Sequence, residues 1–525
     1  MSPGQDRERN TQPTNRFLLI CAAALILAAG ALAFFFLWPK TGSLQAPAPS
    51  PMLRAQAQGL DSIRITAAFD PNLRQLAVTQ EITLMNREEE KRNSLVLRTL
   101  ANAFQSPDTS PTASEELYQK CYPHGFSSGS LAISSARLRR EGEEGRDIQY
   151  RYTDEAKTVL LFPLELPWEN GQTLILELHY TLTIPRLAGR FGENNGIWAL
   201  GNAFPLPAVY RDGAYREDPY YAVGDPFISE CMNFTVQLSL PQGYTAAGSA
   251  WPSVTRQESG NSLYAFEALA VRDFALCLSD GYRLAQAMED GVLVSAYAKN
   301  IGQAREALGF ARQALACYKR HFGAYPYPVY TLAQVDFPFG GMEYPSLVML
   351  GGDQLRQGGE TLELLVAHET AHQWWYGIVG SDQVNQAWQD EALCEYSLLP
   401  YMQDYHGFQA REEIRFSRIE TAMRVTVSLG ITPGSPLRFF ASGSEYATVV
   451  YGRGAAFLVA LDNALEGRLD DFLKAYYDRY AFLLATRKDF EEELQAFSGE
   501  DWSSLMTDYL DTFMIRSLSG IPVLT

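Results

Sequence analysis

Histidine is scarce in this chain, with six in 525 residues, and cysteine is equally scarce at six. No CxxC pair occurs, so neither a cysteine zinc module nor a disulfide framework is indicated. Cys21 sits in an apolar run. The other five, Cys121, Cys231, Cys277, Cys317 and Cys394, are far apart and odd in number, so at most two pairs could form. Positive charge is also short: 43 Lys and Arg face 61 Asp and Glu, for a net charge of −18. With no basic stripe to replace phosphate counterions, nucleic acid is excluded as a partner, and an acidic solvated surface accounts for the charge. Internal repeats are absent. A hydrophobic content of 46% and an aromatic content of 12% describe a globular chain with room for two or three domains.

Charge is absent altogether from residues 17–38, FLLICAAALILAAGALAFFFLW, an apolar run long enough for one bilayer crossing. Arg7, Arg9 and Arg16 precede it and only Lys40 follows closely. The positive-inside rule then predicts a cell-membrane, single-pass protein with residues 1–16 cytoplasmic and the remainder extracytoplasmic. A cleaved signal peptide is the rival, but no small-residue cleavage site follows Phe34 to Trp38. Residues 39–58, rich in Ala and Pro, read as a linker. From 59 to 285, short alternating runs such as 76–85, 174–182 and 234–240 predict an all-β domain. His124 and His179 lie there and read as surface or packing residues. From 286 to 525 the pattern is mainly helical. An apolar stripe runs from Ala304 to Phe322, two strands at 330–337 and 346–350 flank a Gly-Gly turn, and helices are expected at 455–466, 469–485 and 488–514.

Two of the six histidines stand four apart in His368-Glu369-Thr370-Ala371-His372, after an apolar, helix-compatible run. On a helix both point to one face. Glu391 follows 391 − 372 = 19 residues later, a gap that fits the end of one helix, a connection and a return helix. Two imidazoles and a carboxylate make a His₂Glu set for one Zn²⁺ per chain, with a fourth position left for water. An HExxH string alone arises by chance in roughly one chain in a hundred of this length; the spaced Glu391 makes the pattern specific. In such a site zinc acidifies water and polarises a carbonyl, and Glu369 is placed to act as general base. Asp390 and Glu395 are alternatives for orienting the histidines. Cys394 reads as a buried small residue.

Gly340-Gly341-Met342-Glu343-Tyr344-Pro345 precedes this motif, and Tyr451-Gly452-Arg453-Gly454-Ala455 follows Glu391 by 451 − 391 = 60 residues. The order resembles the aminopeptidase N family of gluzincin zinc metallopeptidases, with its GxMEN strand, HExxH, distant Glu and YxKG-like element. The stretch from Gly224-Asp225-Pro226-Phe227 through Pro241 resembles the end of that family's N-terminal domain. The resemblance implies a multidomain α+β fold: an N-terminal all-β, saddle-like domain, then a thermolysin-like, mainly helical catalytic domain. It implies metal ligation by His368, His372 and Glu391, catalysis by Glu369 and Tyr451, and substrate binding by Gly340, Gly341, Met342 and Glu343. Glu343 would pair with the substrate's α-amino group and Tyr451 would serve the developing oxyanion, with Tyr446 as a second candidate. Tyr344 replaces the usual Asn, Arg453 stands where Lys is common, and Asn202 is the candidate for a second amine-binding residue. Many relatives continue into a long helical domain, so a chain ending at Thr525 is expected to have a more open cleft, or one covered by a second subunit or partner. The expected activity is removal of N-terminal residues from peptides outside the membrane. The alternatives are a zinc endopeptidase and a non-catalytic peptide-binding protein on the same fold.

Overall fold

The computed structural model describes residues 44–512. From Ala46 onward the described residues form one compact unit. The alternating runs become strands. Gln75–Met85, Thr173–Thr183 and Met232–Leu240 join Ser62–Asp70, Ser130–Arg140 and Ser262–Val271 as the long strands of an eight-stranded sheet, closed at its edges by two short ones. Neighbours pair antiparallel except Ser62–Asp70 with Met232–Leu240. Their alternation buries one face, as with Ile63, Ile65, Ala67 and Phe69 along the first strand. Two four-stranded sheets and a two-stranded hairpin, Tyr210–Arg211 with Ala214–Tyr215, complete this β-rich part.

A five-stranded sheet leads into the helical part. In spatial order it holds Arg283–Glu289, Val292–Ala298, Val329–Val335, Leu347–Gly351 and the edge strand Gly341–Met342. The helix α1 (Ile301–His321) crosses between two parallel strands of this sheet, and its apolar stripe from Ala304 to Tyr318 is buried. Four more helices matter here: α2 (Gly359–Ala371), α3 (Trp388–His406), α4 (Gly454–Ala464) and α5 (Leu469–Tyr480).

Two expectations require correction. The single-pass membrane placement does not stand: among the described residues no helix is long and apolar enough to cross a membrane. The longest, α1, carries Arg305, Glu306, Arg312, Lys319 and Arg320 and is a sheet crossover. The run 17–38 on which that expectation rested lies outside the described residues. The helix expected over 488–514 is also interrupted. Arg487–Ser498 ends at Gly499, whose φ of 78° is the left-handed geometry that closes a helix, and a separate short turn begins at Ser503. The five cysteines among the described residues are buried free thiols.

Candidate active site

Helix α2 presents His368 and His372 one turn apart, and α3 packs against it with Glu391 in its first turn. His368 Nε2 lies 3.2 Å from His372 Nε2, and each is 3.3 Å from Glu391 Oε2. Four ligands at about 2.0–2.1 Å around tetrahedral zinc lie about 3.3 Å apart. The triangle therefore has the dimensions of three such ligands, and the residues fit the ion.

The outer nitrogens are held from behind. His372 Nδ1 donates to Asp390 Oδ1 at 2.6 Å, which leaves Nε2 as the lone-pair nitrogen facing the triangle. Asp390 in turn accepts from Gln383. Glu395 Oε2 lies 3.4 Å from His368 Nδ1, an ion-pair distance, while Arg418 donates to both Glu395 oxygens at 2.5 and 2.9 Å. The two candidates for orienting the histidines thus divide the task, one to each ring. Gln383 and Arg418 carried no sequence signal, since their partners are distant or in a different element.

Charge in the site is finely opposed. Burial raises the Glu391 carboxyl, yet His372 and His368 outweigh it and hold it at about 2. Glu395 is held at about 2 as Arg418 and His368 overcome burial. Burial disfavours charge on His368, but Glu391 and Glu395 raise it to about 9. The carboxylates that retain a proton on the histidines equally favour a cation among them. Burial lifts Glu369 to about 7, against the pull of His368 and His372. Burial also raises Glu343 well above the usual carboxylate range, with Asp225, Asp390 and Glu369 adding repulsion and His372 opposing.

Glu343 follows the edge strand Gly341–Met342, whose register sets Gly341 opposite Leu350. A Cβ at Gly341 would collide with the Glu369 carboxyl, so glycine lets the strand approach the metal helix. Glu343 Oε1 and Glu369 Oε2 are buried with no hydrogen-bond partner. Gly340, Gly341, Glu343, His368, Glu369, His372, Glu391 and Tyr451 all line one cleft of about 620 Å³. Met342 is buried in the apolar cluster behind the strand.

Tyr451 lies in a widened turn, Ala447–Arg453, leading into α4. Wide turns of this kind recur at functional sites. A Cβ at Gly454 would sit 2.7 Å from that of Ala392, so glycine permits the α4–α3 crossing that brings Tyr451 to Glu391. Tyr446 also lines the cleft, edge-on to Tyr451 at 5.7 Å. Arg453 turns away and donates to Ala422 O and Val425 O.

Asn202 does not line the cleft. It is buried between Asp273, to which it donates at 2.8 Å, and the Tyr344 hydroxyl, from which it accepts at 2.7 Å. Instead the β-rich part sends Asp225 into the cleft, paired with Arg190 at 2.5 Å. The Gly224-Asp225-Pro226 string was visible in the sequence; only the fold shows where it points.

Residues 306–509 match the Peptidase family M1 domain. The chain is 25% identical over 361 residues to Aminopeptidase B of Rattus norvegicus, covering 64% of this chain and 52% of the relative. It is 23% identical over 384 residues to Aminopeptidase N of Lactococcus lactis subsp. lactis, covering 67% and 44%. Endoplasmic reticulum aminopeptidase 1 of Mus musculus is 27% identical over 260 residues, 46% of this chain and 27% of the relative. The chain spans about half the length of the first of these and less of the others. The matched segment runs from α1 through the edge strand and the His-His-Glu triangle to beyond Tyr451, so the part of the chain that carries the candidate site is similar to the family M1 peptidase domain.

Proposed function

We propose that this chain is a zinc-dependent aminopeptidase that releases N-terminal residues from peptides. The observation that carries this is Glu343: a buried carboxyl, one oxygen unpartnered, lining the same cleft as the His-His-Glu triangle. A substrate ammonium would satisfy it and set the distance from chain end to scissile bond.

His368, His372 and Glu391 would hold zinc, which when bound supplies a Lewis acid and acidifies water. Glu369 takes the proton of the attacking water as its oxygen adds to the scissile carbonyl carbon. It returns a proton to the amine nitrogen as the C–N bond breaks. A carboxyl held near neutral pH suits both transfers. Tyr451, whose one hydroxyl proton is donated to Glu391 Oε1 in the substrate-free site, would redirect it to the carbonyl oxygen as negative charge develops there. Asp390 and Glu395 keep the imidazoles oriented. We read the β-rich part as the saddle-like domain of this family and the helical part as its thermolysin-like catalytic domain.

The test is a survey of the purified chain and Glu343→Gln against aminoacyl-arylamides and N-acetylated peptides. Release from free amino termini that falls at least about 100-fold in E343Q supports the proposal. Equal cleavage of blocked and free peptides, unaffected by E343Q, points to an endopeptidase and sinks it.

A further inference from the structure

Away from the triangle, α1 carries Cys317 and His321 four residues apart, and α3 sets Asp404 against both. Cys317 Sγ lies 3.5 Å from Asp404 Oδ2, and His321 Nε2 lies 3.2 Å from the same oxygen. One ligand atom from each of the three falls within 4.8 Å of the other two. Around tetrahedral zinc, with sulfur at about 2.3 Å and nitrogen or oxygen at about 2.0–2.1 Å, the S···O and N···O separations are about 3.6 and 3.3 Å. Both measured separations fit. The other nitrogen of the ring is also engaged: His321 Nδ1 contacts Asp470 Oδ2 on α5 at 2.7 Å. A carboxylate on the far nitrogen is the usual companion of a metal-bound histidine, fixing the tautomer with Nε2 free for the ion.

We propose that Cys317, His321 and Asp404 bind a second divalent cation of the zinc type. A thiol, an imidazole and one carboxylate suit zinc or cobalt and not magnesium or calcium. Binding deprotonates Cys317, and the thiol proton leaves to solvent as the S–metal bond forms. Arg320 donates to Asp404 Oδ2 at 2.6 Å and competes for that oxygen. Its side chain is 53% exposed, so water can receive the guanidinium when the ion takes the oxygen. The cation would tie α1 to α3, with α5 held through Asp470, some distance along α3 from Glu391. The sequence pattern concealed this set, because its members span 404 − 317 = 87 residues and include one cysteine.

The test is titration of the metal-free full chain with Co²⁺. The expected result is two bound equivalents with a thiolate-to-cobalt band in the near ultraviolet. Cys317→Ser should lose the band and one equivalent, whereas Cys394→Ser, beside the first site, should keep both. Asp404→Asn should bind the second equivalent at least about tenfold more weakly. One equivalent in the unmodified chain overturns the proposal, as does a band that survives C317S, or two equivalents of unchanged affinity in D404N.

Discussion

The Tyr451 phenol donates to Oε1 of Glu391 across 2.5 Å, while its ring lies parallel to the His368 imidazole, centroids 5.5 Å apart and planes 9° apart. One residue thus touches two members of the triangle from a position 60 residues beyond Glu391. Tyr451→Phe keeps the ring stacking and removes the donor. The predicted effect is a fall in kcat of about 10²–10³-fold with little change in KM. Steady-state kinetics on an aminoacyl-arylamide decides; an unchanged kcat would remove Tyr451 from the chemistry.

Glu369→Gln keeps the shape that packs on Gly341 and removes the base. Activity is predicted to fall by about 10²–10⁴-fold, with zinc content and thermal stability unchanged. Metal analysis and turnover on the same preparation separate the two effects. Wild-type turnover in this variant would refute the mechanism.

Glu395 is 2% exposed and stands between His368 and Arg418. Replacing it with Gln withdraws the negative charge behind the imidazole. Zinc affinity is predicted to fall about 10–100-fold, while turnover at saturating zinc falls less. Competition with a chelator measures this, and an unaltered affinity would show that Glu395 only anchors Arg418.

Asp273 supplies a pH dependence away from the metal residues. Burial pushes its carboxyl up to about 7 from 3.8, only partly offset by the Phe274 amide and Asn202. The folded state therefore holds this proton more tightly than the unfolded chain does. Stability from this group is full below its unfolded value and is lost as pH rises towards 7. Asp273→Asn cannot ionise, so whatever its constant cost, the melting temperature should decline less between about pH 4 and 7 than in wild type. Parallel slopes in the two proteins would contradict the assignment.

The sequence by itself determined the local chemistry: an HExxH helix, the return Glu391, a Gly-Gly edge before Glu343, and the alternation that builds the sheets. These are short-range patterns, since helix and strand periodicity alone assign a side chain to a face. Only the tertiary structure decided which distant groups meet. Asp390 and Glu395 each took one histidine because α3 crosses α2 at a particular register. Asn202 was withdrawn into a buried contact with Tyr344 and Asp273, and Asp225 entered the cleft in company with Arg190. Gly454 on Ala392 brought Tyr451 to Glu391. Residues this far apart in the chain meet only through packing, and packing depends on the shapes of both surfaces at once.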